Sequence, residues 1–310
     1  MTDRTDSGRI AETATDLVGK TPLLHLPAFA ENLYAKVESF NPLSSVKDRV
    51  AVNMLETAAE TGEIGAGTTI VEATSGNTGI GLAHAGAAMD YDVTLVMPDS
   101  MSTERRQILR ALGADLELTP AAEGMPGAIE RADEIAAATP DSYRPNQFEN
   151  PANPAAHRTG TAPEIEAALP AVDVLVASVG TGGTITGIAR YFKEDLGRSD
   201  FEVVAIEPEG SEVLSGGEPG PHDIPGIGAG FVPDVLDRSL IDGIETTTGE
   251  RARATARALA SETGVLVGIS AGGAVDVASR VASRSGYEEK TVVTILPDTG
   301  ERYLQEGLFE

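Results

Sequence analysis

Residues 69–89 read TIVEATSGNTGIGLAHAGAAM, and this stretch decides the fold class. The apolar run at 69–73 predicts a strand, and the small residues at 80–89 predict a helix after a polar turn. The same order of strand, turn and helix returns at 92–112, 172–190 and 265–282. Strands that alternate with helices are typical of parallel sheets with crossover helices. The sequence therefore predicts an α/β protein.

Composition narrows the possible functions. The chain has 310 residues, 41% of them hydrophobic, which suits one compact protein of two joined lobes. The net charge of −25 argues against nucleic-acid binding. Because the chain has no cysteine and no apolar run of about 20 residues, we exclude disulfides, a catalytic thiol and a membrane span. The polar N-terminus predicts a cytoplasmic location, and the acidic composition predicts adaptation to high salt.

Three polar turns lie between a predicted strand and a predicted helix, at 74–79 (TSGNTG), 180–184 (GTGGT) and 270–273 (SAGG). Helix-start amides bind anions, so 180–184 predicts a phosphate site and 74–79 can hold a small carboxylate. A nicotinamide dinucleotide is an alternative ligand, although the GxGxxG spacing is absent. Ser270 is explained equally well as a helix N-cap. We expect the three turns to converge at the carboxyl edge of a sheet.

Lys47 is the candidate reactive residue. It lies in FNPLSSVKDR, residues 40–49, where we expect a helix to begin with Ser44 or Ser45 as its cap. The positive field at a helix N-terminus lowers the pKa of a lysine, especially a partly buried one. An imine-forming lysine needs such a neutral amine. A solvated lysine would explain this position as well if it were taken alone.

Together these motifs resemble the cysteine synthase (O-acetylserine sulfhydrylase) family, which are pyridoxal-phosphate enzymes of fold type II in the tryptophan-synthase-β-like class. The similarity spans nearly the whole chain and rests on GKTPL, NPLSSVKDR, EATSGNTGIGLA, NQFENPANPAAH, GTGGTITG, PGIGAGFVP, GISAGG and LPDTGERYL. It implies two α/β domains, each with a mostly parallel twisted sheet flanked by helices, and an active site between them. Residues 45–150 would form the smaller domain, and residues 1–44 with 151–310 the larger one.

The resemblance also implies pyridoxal 5′-phosphate as cofactor and a β-replacement that makes L-cysteine from O-acetyl-L-serine and sulfide. Lys47 would be the Schiff-base lysine and general base, with Asn77 at the ring 3′-oxygen and Ser270 at the pyridine nitrogen. The cofactor phosphate would be held by Gly180, Thr181, Gly182, Gly183 and Thr184. The substrate would be held by Thr74, Ser75, Thr78 and Gln147 at its carboxylate and by Gly228 near its amine.

Some features leave the substrates open. Lys20 stands where the family usually has asparagine, and GISAGG replaces the commoner GISSGA. Cystathionine β-synthase or O-phosphoserine sulfhydrylase activity is the alternative, and a non-catalytic binding module is a further one. The resemblance implies a homodimer and, in some members, binding of the C-terminal tail of serine acetyltransferase. We expect no metal, because the four histidines show no ligand spacing.

Overall fold

The computed structural model of the protein describes residues 10–74 and 76–310, and in these residues the strands form two sheets. The larger sheet has six strands: β1 (Leu23–His25), β2 (Leu33–Val37), β7 (Val172–Ser178), β8 (Glu202–Pro208), β9 (Gly243–Thr247) and β10 (Thr291–Leu296). The smaller sheet has four: β3 (Thr69–Ala73), β4 (Asp92–Pro98), β5 (Asp115–Thr119) and β6 (Ser142–Tyr143).

Both sheets are predominantly parallel. The strand order is β1-β2-β10-β7-β8-β9 in the larger sheet and β5-β4-β3-β6 in the smaller one. The pair β1–β2 is antiparallel, whereas the remaining pairs in the described residues are parallel. The predicted α/β class is therefore confirmed. The short strands β1 and β9 carry little periodic signal, and the sequence did not predict them.

Nine α-helices connect the strands within the described residues: α1 (Lys47–Thr61), α2 (Asn77–Met89), α3 (Thr103–Ala111), α4 (Gly124–Ala138), α5 (Ala152–Ala156), α6 (Ala162–Ala168), α7 (Gly183–Arg190), α8 (Gly249–Thr263) and α9 (Ile269–Ala282). Helices α2, α7 and α9 begin one to three residues earlier than the apolar pattern predicts. Their polar residues are thus part of the first helical turn, where free amides lie.

Each sheet has its own core. Val50 and Leu55 of α1 and Ile80 and Leu82 of α2 are buried together with Leu95 of β4. Burying one such side chain contributes about 2 kcal/mol, so these contacts join α1 to the smaller sheet. Separate clusters cover the two faces of the larger sheet. The division at residues 45 and 150 agrees with this sheet membership and stays a prediction.

Two segments were predicted as a domain junction and a functional loop. The segment at 145–157 forms turns and then α5, which continues through one π-helical stretch, His157–Thr161, into α6. Residues 209–237 contain neither helix nor strand. Glu207 anchors this long loop, because its carboxylate accepts hydrogen bonds from the amides of Leu214 (2.7 Å) and Ser215 (3.1 Å). None of the helices in the described residues is long and apolar enough to cross a membrane.

Candidate active site

The starts of four helices meet at one cleft. These are α1, α2, α7 and α9, and strands β7 and β10 end at the same place. The residues lining the cleft include Lys47, Asn77, Ser178, Gly180, Thr181, Gly182, Thr184, Ser270, Asp298 and Tyr303. The fold therefore brings the Lys47 segment and the three polar turns together at this cleft, as predicted.

Lys47 is the first residue of α1. Burial lowers the pKa of its amine to about 8, while the nearby Asp298 carboxylate acts in the opposite direction. The residue before the helix is Val46 rather than a capping serine, and the Ser45 hydroxyl accepts a hydrogen bond from the Lys47 amide (3.2 Å). The Val46 amide donates to the Pro297 carbonyl (2.7 Å) and ties this turn to the end of β10. A pKa near 8 makes a neutral amine accessible, as the sequence predicted.

A buried group of four charged side chains, which we call the ion cluster, lies behind the start of α1: Lys36, Glu38, Arg49 and Glu164. Arg49 binds Glu38 (2.6 Å) and Glu164 (2.7 Å), and Lys36 binds Glu164 (2.7 Å). Lys36 and Glu38 are 1% and 0% exposed. Buried charges need partners of this kind. The ion cluster therefore joins α1 to β2 and α6.

The turn from β7 to α7 has the features of an anion site. Gly182 has a φ of +85°, a conformation that favours glycine, and the helix starts at Gly183. The Thr181 hydroxyl accepts from the side-chain amide of Asn153 (2.9 Å), which leaves its own hydrogen free to donate. A Cβ at Gly183 would lie 1.9 Å from Asn153 Oδ1, so glycine is required there. Free amides and hydroxyl hydrogens together suit a phosphate.

His157 contacts this turn from behind. Its Nε2 lies 3.1 Å from the Thr184 hydroxyl, and its Nδ1 lies 2.9 Å from Thr161 Oγ1. Burial, with the positive charges of Arg49 and Lys47, holds the pKa of His157 well below its usual range. The ring is therefore neutral, with one nitrogen donating and the other accepting.

Ser270 lies in the first turn of α9, and Gly268 occupies the N-cap position. The interpretation of Ser270 as an N-cap is therefore wrong, because the helix already begins at Ile269. Ser270 lines the cleft with Asn77 and Lys47 instead. A second serine, Ser178 at the end of β7, also lines the cleft, and its buried hydroxyl has no hydrogen-bond partner in the described part of the chain.

Four of the residues predicted to hold the substrate do not line the cleft: Thr74, Thr78, Gln147 and Gly228. The Thr78 hydroxyl donates to the side-chain oxygen of Gln147 (2.7 Å), so these two are brought together. Thr74 is buried at the end of β3, and its amide donates to the Val96 carbonyl (3.0 Å). Gly228, with a φ of +63°, packs on Pro208 in the long loop. Ser75 lies outside the described residues.

Lys20 has a φ of +52°, and its amide donates to Glu164 Oε1 (2.8 Å) at the edge of the ion cluster. The residues that sequence reasoning missed are Asn153 and His157 as contacts of the site. Both could have been found in NQFENPANPAAH, which is dense in polar groups.

The fold and this cleft define an enzyme class, and the chain belongs to the pyridoxal-phosphate-dependent enzyme family. The family model matches residues 14–298, which include both sheets and every residue named in the cleft apart from Tyr303. The two parallel-rich sheets with the cleft at the helix starts correspond to fold type II. The resemblance seen in the sequence is thereby confirmed.

Three known proteins are similar to this chain along nearly its whole length. Cysteine synthase A of Escherichia coli is 48% identical over 310 residues, covering 97% of this chain and 96% of that protein. The crystal structure of a cysteine synthase from Entamoeba histolytica has a TM-score of 0.95 and 40% identity, covering 100% of this chain and 94% of the other. An O-acetylserine-dependent cystathionine β-synthase from Helicobacter pylori has a TM-score of 0.89 and 43% identity, covering 98% and 100%.

Proposed function

We propose that this protein is a pyridoxal-phosphate-dependent cysteine synthase that replaces the acetate of O-acetyl-L-serine by sulfide. The observation that carries the proposal is the amine of Lys47, with a pKa of about 8, in one cleft with Asn77, Ser270 and the start of α7. The similarity to cysteine synthases of two distant organisms supports the same reaction.

The cleft fits the cofactor on its own chemistry. The start of α7 with Thr181 and Thr184 would hold the phosphate, Ser270 would face the pyridine nitrogen and Asn77 the ring 3′-oxygen. The unpartnered hydroxyl of Ser178 offers one more polar contact in the same cleft. Lys47 would attach the cofactor covalently.

Bound pyridoxal phosphate would supply an electron sink for the bonds at the substrate α-carbon. The chain then has to move one proton, and Lys47 is the base that removes it from the α-carbon and later returns it. Ser270, unlike an aspartate, cannot hold a proton on the pyridine nitrogen, so the sink is weak and loss of a good leaving group is favoured over racemisation. Thr74, Ser75, Thr78 and Gln147 would hold the substrate carboxylate.

A second candidate is transfer to homocysteine, as in a cystathionine β-synthase. The O-acetylserine-dependent cystathionine β-synthase of Helicobacter pylori is 43% identical to this chain and similar to it along its whole length. The loop 225–233 borders the region where the nucleophile would arrive, and Phe231 there is 50% exposed and packs on Phe148. O-Phosphoserine is the alternative to O-acetylserine.

Assembly and setting are part of the proposal. We infer that the protein is cytoplasmic, that it is a homodimer, as its resemblance implies, and that its cleft can bind the C-terminal tail of a serine acetyltransferase. Its 48 acidic residues against 23 basic ones support adaptation to high salt, because salt screens the repulsion between surface charges.

The decisive experiment compares the wild type with Lys47→Ala and with the control Lys193→Ala. Lys193 pairs with Asp242 (2.6 Å) away from the cleft. We expect borohydride reduction of the loaded wild type and of the Lys193 variant to label position 47, found by peptide mapping. The wild type and the control should form cysteine from O-acetylserine and sulfide, and Lys47→Ala should not.

The same assay with O-phosphoserine or serine, and with homocysteine in place of sulfide, decides between the candidates. A higher kcat/KM with homocysteine than with sulfide would favour cystathionine β-synthase activity over cysteine synthase activity. An unlabelled Lys47, or full turnover by Lys47→Ala, would overturn both.

A further inference from the structure

Asp298 is a buried carboxylate in the cleft that the reaction outlined above does not use. It is 1% exposed and follows the last strand, β10. Its Oδ2 accepts hydrogen bonds from the side-chain amide of Asn77 (2.7 Å) and from the Tyr303 hydroxyl (2.6 Å). Its Oδ1 is buried and has no hydrogen-bond partner in the described residues. A buried acid with such contacts requires an explanation, since burying it costs free energy.

The contacts on both ends of Asn77 fix the orientation of its amide. The Arg302 guanidinium donates to Asn77 Oδ1, and it can only donate. The carboxylate of Asp298 faces Asn77 Nδ2 and accepts from it. Rotating the amide by 180° would place its nitrogen against a guanidinium and its oxygen against a carboxylate. The pair Arg302 and Asp298, which we call the amide clamp, therefore admits one orientation, in which the second hydrogen of Nδ2 remains free.

The backbone around Asp298 is held from two sides. The Gly268 amide donates to the Asp298 carbonyl (3.1 Å), and the Thr299 amide donates to the Ser44 carbonyl (3.3 Å). A Cβ at Gly268 would lie 2.0 Å from Asp298 Oδ1, so glycine is required for this packing. The segment therefore connects the turn before Lys47 with the turn before Ser270, and it carries a side chain that reaches Asn77.

The charged and titratable groups that face Asp298 are Lys47 of α1, Arg105 of α3, and Arg302 and Tyr303 of the C-terminal 3-10 helix. Burial raises the pKa of Asp298, whereas the hydrogen bonds from Tyr303 and Asn77 and the charges of Arg302 and Arg105 lower it. Both hydrogen bonds are accepted by Oδ2, so a proton on Oδ1 would leave them intact. The contact with Asn77 thus depends on an acceptor at Oδ2 and not on the negative charge.

We propose that Asp298 is a positioning residue that holds the Asn77 amide with an N–H directed into the cleft. This inference rests on the proposed function, because the group that would receive this N–H is the ring 3′-oxygen of pyridoxal phosphate. An N–H donor favours the deprotonated form of that oxygen over the hydroxyl form. The amide clamp therefore selects one protonation state of the bound cofactor as well as strengthening its binding.

The test uses two changes at one position. Asp298→Asn keeps an acceptor for Asn77, whereas Asp298→Ala removes it and leaves the amide held at one end only, by Arg302. For each variant, the apoenzyme is titrated with pyridoxal phosphate, and the visible absorption spectrum of the bound cofactor is recorded from pH 6 to 9. We expect Asp298→Ala to bind about tenfold more weakly, the effect of losing one hydrogen bond to a charged group. Its spectrum should shift toward the hydroxyl form, while Asp298→Asn stays within about threefold of the wild type with an unchanged spectrum.

The control is Asp276→Ala, which removes a carboxylate on α9 that accepts from the Thr247 hydroxyl (2.8 Å) outside the cleft. It should bind the cofactor like the wild type. If Asp298→Ala does not fold, Arg302→Ala opens the clamp from the other end and should shift the spectrum in the same direction by a smaller amount, because Asp298 still accepts from Asn77 Nδ2.

Wild-type affinity and spectrum in Asp298→Ala, or equal losses in Asp298→Asn and Asp298→Ala, would overturn the proposal. A wild type that binds no pyridoxal phosphate would refute the proposed function instead, so the two failures are distinguishable.

Discussion

Glu164→Gln tests whether the ion cluster holds the helix that carries Lys47. Glu164 binds both buried cations, Lys36 and Arg49, each at 2.7 Å. Glutamine keeps the shape of the side chain and can still accept hydrogen bonds, but it removes the charge. Arg49 would then keep Glu38 as its partner, Lys36 would lose its ion pair with Glu164, and unpaired buried charge is costly.

The magnitude follows from the pKa of Glu164. Although burial alone would raise it, the hydrogen bonds and charges of Arg49 and Lys36 lower the pKa from 4.5 to about 2. This difference corresponds to about 3 kcal/mol. Because the Glu164 side chain is 21% exposed, solvent screening reduces the expected loss to about 2 kcal/mol.

The pH dependence has a definite sign. A carboxyl whose pKa is depressed in the folded state stabilises the protein fully above its unfolded pKa, near 4.5, and this contribution is lost as the pH falls toward about 2. Urea unfolding with saturating cofactor should therefore show a loss of about 2 kcal/mol at pH 7 in Glu164→Gln. The difference from the wild type should narrow below about pH 5.

The matched control is Glu117→Gln, because Glu117 pairs with Arg131 at 2.9 Å with both side chains more than 40% exposed. An exposed pair contributes little, so this variant should unfold at nearly the same urea concentration as the wild type. Equal midpoints for the two variants at pH 7 would refute the reasoning, as would a difference that grows when the pH is lowered.

Three further changes test other parts of the structure. Since the pKa of Lys47 is about 8, cofactor attachment to the apoenzyme should accelerate about tenfold from pH 7 to 9, against about a hundredfold for an ordinary lysine. Gly183→Ala should weaken cofactor binding at least about tenfold, because its Cβ would displace Asn153. The control Gly65→Ala, whose Cβ meets nothing within 4 Å, should bind the cofactor normally in the same titration. The melting temperature should rise between about 0.1 M and 2 M KCl, and unchanged melting in dilute buffer would contradict the high-salt hypothesis.

The sequence predicted the cleft better than its surroundings, for physical reasons. Lys47, Asn77 and Ser270 each follow a local pattern of polar residues before a helix, and parallel topology brings such turns to one edge. The amide clamp joins residues more than 200 positions apart. No local pattern encodes that contact.

The same limit applies to the ion cluster. Lys36 lies in a strand and Glu164 in a helix 128 residues later, and charged residues in either element are usually exposed. Their burial follows from the packing of α1 against β2 and α6. The interpretation of Ser270 as an N-cap was wrong because the predicted start of α9, at Ser270, lay one residue after the actual start at Ile269.

The backbone contacts of Pro297 and Asp298 have a consequence for biosynthesis. These residues follow the final strand, yet they fasten the turns that precede Lys47 and Ser270. When a ribosome has made the first 290 residues, β10 and everything that depends on it are still missing. The turns that carry Lys47 and Ser270 therefore reach their final contacts only after this last part of the sheet has been made.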